Sequence, residues 1–587
     1  MQRQWIKLCI AVFIIASLFL ANLSYALPFM VATKNGTTLP TTVSTGATAK
    51  AYYTIQNNTG STRNNNYIKY LPPNVAQVTS GGTYADTCGS TFMLAAKGRA
   101  NDSCTLQLAI TGAVNSNDPD PHHHLFACFP GGVTCAGTLT PLNVTVVTPP
   151  PGPPIGIASG WSQGGSQSFP PDGTAFPLLT QTTNGGISWN VVTSITGLPS
   201  TDHGALFGAS TSCNGIGSNT LCVAAGVFGT YFSGPPLLLQ TLNGGATWSK
   251  VTSIVGLPGT DIGAYFGADC RSSLCLVAGE DSTTSSPLLV QSKDGGATWT
   301  HVTVLGSTPS GFFQVPACND EGKLCVVTGQ NTGGSAPPIL AQTTDGGITW
   351  NYVTSITGLP SSGDFGHAAC GGSGTTAICV AVGINYDTGA PLIAQTTNGG
   401  ASWNVVNSIA GMPDSGSFSS VSCSDDEAGP STICIASGQV SGSKGNPSPP
   451  LLIQTTNGGG SWSVISIPGI ATNGSLNDTS CTGAGSTALC VAAGQDNDAS
   501  IPILVESQNG GSTWRKVNIA GVSTGWSLSS VDCNDDSTVF CIAAGADSTT
   551  NSALLIQSLD GGNTWNPVTI PSLPTNPSTF TAVGSSD

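Results

Sequence analysis

One octapeptide, repeated along most of the chain, constrains the fold more than any other feature. Ser292-Lys293-Asp294-Gly295-Gly296-Ala297-Thr298-Trp299 has eight near-copies including itself, each behind an apolar run, with closing tryptophans at 189, 248, 299, 350, 403, 462, 514 and 565. Their spacing of 51 to 59 residues is that of a kelch-sized, four-stranded unit. Such a unit cannot bury its apolar face alone, so the copies must stack on one another.

Each repeat divides into four strand candidates, which in the last complete unit are residues 528–533, 541–545, 553–557 and 564–568. The second strand reads as Cys, small apolar residues and Gly, as at 222–226, 325–329 and 490–494, and small side chains let neighbouring sheets pack closely. The third strand ends in Gln at 181, 240, 291, 342, 395, 454 and 557, and in Glu506 in the remaining copy. A polar residue there is expected to meet backbone groups between sheets, since buried amides need partners. Strands three and four are joined by the octapeptide, whose Asn-Gly-Gly or Asp-Gly-Gly supplies the positive φ angles of a tight hairpin while Trp anchors it to the adjacent sheet. Second to fourth strands occur eight times, Cys-bearing first strands only seven, and residues 578–584 have the first-strand pattern of 526–531. We therefore expect an all-β fold in which strand 578–584 joins the first unit and closes an eight-bladed β-propeller, removing exposed sheet edges. A seven-bladed ring with one extra unit is the alternative.

The rest of the chain adds an export signal and a second domain. Residues 1–26 read as a signal peptide, with Arg3 and Lys7 before the apolar segment 8–20 and Ser24 and Ala26 before the cut. That segment is shorter than the roughly 20 residues that span a bilayer, so no membrane span is expected after cleavage, and the mature protein is expected to be secreted, periplasmic or on the cell exterior. Loss of Arg3 and Lys7 leaves 13 basic against 30 acidic residues, a net charge of −17. This repels nucleic acid and anionic lipid, leaving proteins, neutral glycans or cations as partners. The sequence does not set an oligomeric state.

Of 19 cysteines, Cys9 leaves with the signal. Fourteen fall in the repeats as close pairs: Cys213 with Cys222, Cys270 with Cys275, Cys318 with Cys325, Cys370 with Cys379, Cys423 with Cys434, Cys481 with Cys490, and Cys533 with Cys541. An even count in an exported chain predicts disulfides, and the unequal spacings without recurring His argue against zinc. Residues 27–147 read as a small immunoglobulin-like β-sandwich in which Cys88 pairs with Cys104 and Cys128 with Cys135, other pairings of these four staying open. The run His122-His123-His124 is expected in a polar loop at a domain tip and not as a metal site. Residues 148–154, Thr-Pro-Pro-Pro-Gly-Pro-Pro, form a stiff linker to the repeats at 155–587.

Ser292 to Trp299 resembles the Asp-box, or BNR repeat, Ser-x-Asp-x-Gly-x-Thr-Trp. The chain from about residue 155 to 587 is similar to Asp-box β-propellers of sialidases, sortilin-type receptors, xyloglucan-active hydrolases and photosystem II assembly factors. Copies at 343–350 and 558–565 keep the Asp, whereas Asn184, Asn243, Asn398, Asn457 and Asn509 replace it. In that family the box is peripheral. The sialidase resemblance implies an arginine triad, a Tyr with a Glu partner and an Asp acid. Only Arg271 and Arg515 lie in the repeats, so sialidase activity is not expected.

A glycoside hydrolase would need two facing carboxylates. Asp202, Asp261, Asp364 and Asp414 follow strand four in Gly-Leu-Pro or Gly-Met-Pro loops and are the catalytic alternative, although Asp at such a position also simply forms turns. His203, His301 and His367 have no Gly-x-Ser-x-Gly context, and no motif implies a cofactor or metal. The two-to-three loops share a face with the loops between repeats, opposite the octapeptides, and they vary: Tyr231 and Phe232 in one, Tyr386 and Asp387 in another, Lys444 in a third. Variable loops on a rigid scaffold carry recognition. The expected function is therefore non-catalytic binding of a protein or glycan through these loops, with a glycoside hydrolase and an assembly factor for a larger complex as alternatives.

Overall fold

The computed structural model describes residues 27–586 apart from 45–48, 81–82, 116–119, 121–122, 131–134, 148–152, 164–174, 199–202, 216, 230–233, 258–261, 307–308, 333–335, 425–430, 443–446, 535–538 and 575–576. The signal segment and most of the proline-rich stretch lie outside the described residues. Two compact units, Met1–Pro150 and Pro151–Asp587, divide the chain, and neither holds an α-helix among the described residues.

In the first unit, alternation of apolar and polar residues along Ala49–Asn57 buries Ala51, Tyr53, Ile55 and Asn57 on one side. This strand pairs with Phe29–Thr33 and Ser103–Ile110, and Val75–Val78 completes a four-stranded sheet. A second sheet orders Phe92–Leu94, Arg63–Tyr70, Phe126–Cys128 and Cys135–Gly137. One apolar core containing Phe29, Tyr53, Leu94, Leu106 and Ala127 is shared by both. Disulfides join Cys88 to Cys104 and Cys128 to Cys135. His122 lies outside the described residues. His123 and His124 do not stand free at a tip: both line a cavity of about 250 Å³ beside Tyr53, Leu108 and Val114, and the His123 N–H is bonded to the Asp120 carbonyl.

The second unit is a succession of eight sheets among the described residues, each with four antiparallel strands, and the second and fifth add a short outer strand, Ile195–Thr196 and Ile356–Thr357, that pairs parallel. In the third, Gly263–Arg271, Leu274–Asp281, Ser286–Ser292 and Thr300–His301 follow one another as a meander from inner to outer strand. The other inner strands in chain order are Gly204–Asn214, Gly311–Cys318, Gly363–Gly371, Gly416–Cys423, Gly474–Thr482 and Trp526–Cys533. The first sheet takes its inner strand from the other end of the sequence, where Ser578–Ser585 pairs antiparallel with Gly156–Gln163. Residues of the inner strands surround one axial cavity, the arrangement of a propeller.

A bulge in every inner strand explains the glycine of the second strand. Leu206, Tyr265, Phe313, Phe365, Phe418, Leu476, Leu528 and Phe580 each stand just before a register shift and are almost wholly buried. Opposite them are Gly226, Gly279, Gly329, Gly383, Gly438, Gly494, Gly545 and Gly160. A Cβ on Gly279 would lie 1.9 Å from the Ala264 carbonyl oxygen, and one on Gly383 2.2 Å from that of Asp364. Glycine is thus required by close backbone approach within its own sheet, a demand beyond the expected packing between sheets, where Ala381 shares a core with Val326 and Leu340 of the preceding sheet. Past the bulge, the seven cysteine pairs of the repeats form cross-strand disulfides with Cα atoms 4.0–4.1 Å apart.

Candidate functional site

The octapeptide is a self-contained turn that also fastens one sheet to the next. Ser292 Oγ donates to Asp294 Oδ1 at 2.9 Å and accepts from Gly296 N at 2.8 Å, while Thr298 donates its N–H to Oδ1 at 2.8 Å and its hydroxyl to Oδ2 at 2.6 Å. Thr298 thereby holds the Asp294 carboxyl below the usual carboxylate range. In the Asn copies the hydroxyl bond reverses: Asn184 Nδ2 donates to Ser188 Oγ at 2.9 Å. Trp299 Nε1 reaches Gln240 Oε1 of the preceding sheet at 2.9 Å, and Gln291 Nε2 reaches the Gly347 carbonyl of the following one at 2.9 Å. Gln therefore meets both the backbone that was expected and a tryptophan indole that was not. The same staple runs from Gln557 of the last sheet to Trp189 of the first at 2.8 Å.

Five ionisable groups, Asp269, Arg271, His367, Asp478 and Asp532, line the axial cavity; sequence reasoning named Arg271 and His367 only to set them aside as catalytic and did not name the three aspartates. A readable signal existed, since they stand one or three residues before an inner-strand cysteine, or just after it, and at the position directly before the cysteine the other repeats carry only Ser or Ala. The inner strand is a sheet edge whose outward N–H groups need acceptors, and Asp269, His367, Asp478 and Asp532 cap the neighbouring edge. Asp269 Oδ2 accepts Cys318 N at 2.7 Å, Asp532 Oδ2 accepts Ser585 N at 2.6 Å, and Ser212, Ser422 and Ser480 do the same for Cys270, Cys481 and Cys533. Asp478 takes four hydrogen bonds, from Ser420 Oγ, Thr479 N, Ser530 Oγ and Val531 N at 2.8–3.0 Å. His367 accepts Val421 N on Nδ1 at 3.5 Å, and burial pushes its pKa down against the pull of Asp478. The cavity holds about 200 Å³, below the roughly 300–1,000 Å³ of small-molecule sites. Its polar groups hold the sheets together.

On the loop face opposite the octapeptides, Asp202, Asp261, Tyr231, Phe232 and Lys444 lie outside the described residues. Asp364 is not in a loop: it sits on the inner strand Gly363–Gly371, because the strand starts directly after Ser362. Its Oδ2 accepts the Tyr386 hydroxyl at 2.8 Å and its Oδ1 accepts Ile384 N at 3.3 Å, and burial raises its carboxyl above the usual range against these bonds. Tyr386 and Asp387 occupy a tight turn after Ile378–Asn385, where Asn385 Oδ1 accepts Asp387 N at 2.9 Å and Gly389 takes φ 75°. Gln330 Nε2 also reaches the Tyr386 hydroxyl, at 3.3 Å, and Asp387 Oδ2 accepts Ser361 N and Oγ at 2.8 and 2.9 Å. The tyrosine is thus fixed by its hydroxyl while 47% exposed, and desolvation followed by the Asp364 bond pushes its pKa up to about 12. Asp414 is exposed on the loop before Gly416–Cys423 and lines a groove of about 630 Å³ that Asp364 does not line. The two carboxylates therefore do not share one site.

No protein-family model and no curated protein matches the chain. Among solved structures, YCF48 bound to D1 peptide is 14% identical, over 60% of this chain and 95% of its own, at a TM-score of 0.34. A polysaccharide lyase of family PL25, an ulvan lyase, is 11% identical over 61% and 95% at 0.37, and a Hadza microbial sialidase 11% identical over 68% and 95% at 0.30. Likenesses at this level do not bear on activity or ligand.

Proposed function

We propose that this is an exported binding protein: an immunoglobulin-like sandwich followed by an eight-bladed Asp-box propeller that recognises a protein or glycan through the loop face opposite the boxes. Two connections support eight blades, the pairing of Ser578–Ser585 with Gly156–Gln163 and the Gln557–Trp189 staple. Nine disulfides fit an oxidising compartment, and no helix among the described residues is long and apolar enough to cross a membrane.

The observation that carries the binding reading is Tyr386, an exposed aromatic held rigid by Asp364 and Gln330 on a turn clamped by Asp387 and Ser361. A preorganised aromatic offers contact area at small entropic loss. Asp364 is taken up with positioning it, which speaks against the hydrolase alternative at that residue. Glycan-array and pull-down assays with the wild-type chain and Tyr386→Ala test the reading: a ligand lost in the variant supports it. A blank in both assays, together with polysaccharide turnover abolished by Asp414→Asn, would replace it with the hydrolase.

A further inference from the structure

We infer that the groove formed by the fifth sheet and the loop that leads to the sixth is a binding site for a neutral oligosaccharide, with Asn385, Thr388, Asn407 and Asp414 as hydrogen-bonding groups and Met412 and Pro413 as apolar lining. This deepens the loop-face reading and rests on it. The argument is the contrast between used and unused hydrogen-bonding capacity. In the axial cavity the Asp478 oxygens already accept four hydrogen bonds. In the groove, by contrast, Asn407 and Asp414 are both exposed and make no hydrogen bond or ion pair among the described residues.

The donors and acceptors suit vicinal hydroxyls. Asn407 offers two donors and an acceptor, and Asp414 offers acceptors only. Asn385 has its oxygen engaged by Asp387 N at 2.9 Å and Thr388 N at 3.3 Å, leaving its NH₂ to donate. Thr388 Oγ1 accepts Ala390 N at 3.3 Å, leaving its O–H to donate. Three donor groups and two acceptor groups in one groove with apolar Met412 and Pro413 suit a sugar ring, which presents hydroxyls that donate and accept around a C–H face. No Lys or Arg lines the groove, so a uronate, sulfate or phosphate would meet the Asp414 carboxylate without a counter-charge. At about 630 Å³ it lies within the range of small-ligand sites. A protein partner would need about 800 Å² of its own surface buried, beyond this groove alone.

The test is titration of the full chain with soluble manno-, gluco-, galacto-, xylo- and chito-oligosaccharides, alongside uronate and sulfated oligosaccharides as counter-probes. Asn407→Ala and Asp414→Ala are exposed changes whose folding is checked by circular dichroism. Expected is binding of a neutral probe that weakens about tenfold in each variant, with the anionic probes silent. Neutral-probe binding that ignores both variants but disappears in Tyr386→Ala overturns the groove and keeps the loop-face reading. Capture of a protein ligand dependent on Tyr386, with no sugar bound, does the same. Tighter binding of an anionic probe overturns the ligand class. Ligands indifferent to all three variants overturn both readings.

Discussion

The seam between the seventh and eighth sheets is the one place where the staple departs from its rule. Elsewhere a Gln oxygen accepts the Trp indole of the next sheet at 2.6–3.3 Å. Here Glu506 replaces it, wholly buried, with Oε1 accepting Arg515 Nη2 at 2.5 Å and Gln508 Nε2 at 3.0 Å. Oε2 and Trp565 Nε1 lie near each other without a well-formed hydrogen bond. Burial raises the Glu506 carboxyl above its usual range, with Arg515 and the nearby Trp565 pulling the other way. Glu506→Gln would supply the amide of the other seams, giving a partner to Trp565 Nε1 and, as at Gly459, to a backbone carbonyl.

Two hydrogen bonds gained against the Gln508 bond lost leave about 1 kcal/mol, less about 0–1 kcal/mol for an ion pair whose arginine is half exposed, and predict a gain of up to about 1 kcal/mol near neutral pH. The sign follows from linkage. A folded-state pKa raised above the unfolded one contributes stability that is fully present below the ordinary Glu value of 4.5 and is lost as pH rises through the folded value. The advantage of Gln should therefore grow from acid toward neutral pH. Hydrogen exchange of peptides covering 552–567, corrected for intrinsic rates, reads the local opening directly. Faster exchange in the variant at neutral pH, or a difference independent of pH, would refute the account.

Three further outcomes are expected. Gly383→Ala puts a Cβ 2.2 Å from the Asp364 carbonyl oxygen and should destabilise the propeller by about 3 kcal/mol or more, seen as a lower denaturant midpoint, whereas alanine at Gly389, where a Cβ meets nothing within 4 Å, should strain only its turn. Gln395→Ala strands Trp462 Nε1 and the Gly459 carbonyl, bonded at 2.8 Å each, for a loss of about 2–4 kcal/mol by the same measurement. The Asn-Gly pairs at 243, 398, 457 and 509 should resist deamidation, because cyclisation needs the glycine nitrogen, and each such N–H is bonded to a carbonyl of a neighbouring turn at 3.0–3.1 Å. Mass spectrometry after incubation should find conversion roughly tenfold or more faster in urea than in buffer, and equal rates would discard that protection.

Short-range chemistry made the propeller legible in the chain. A hairpin that needs two positive-φ glycines, a Trp at its end and cysteines directly opposite across a strand pair are local demands, and each recurs with the period of one sheet. The bulge that demands Gly226 or Gly383 left the glycine in the sequence but not its reason, since the clash is with a strand paired by register. Function was less readable. Asp364 and Asp414 look equivalent along the chain, both following a Gly-x-Pro turn, yet a few residues' difference in where the inner strand begins sets one, half-buried, against Tyr386 and leaves the other in an open groove. Asp478 and Asp532 read as ordinary polar residues until neighbouring sheets brought backbone N–H groups to them. Sequence alone determined the repeating unit and its covalent staples, because those depend on neighbours along the strand. Tertiary structure decided which carboxylates were already satisfied and which were left to bind, because that depends on what the next sheet donates.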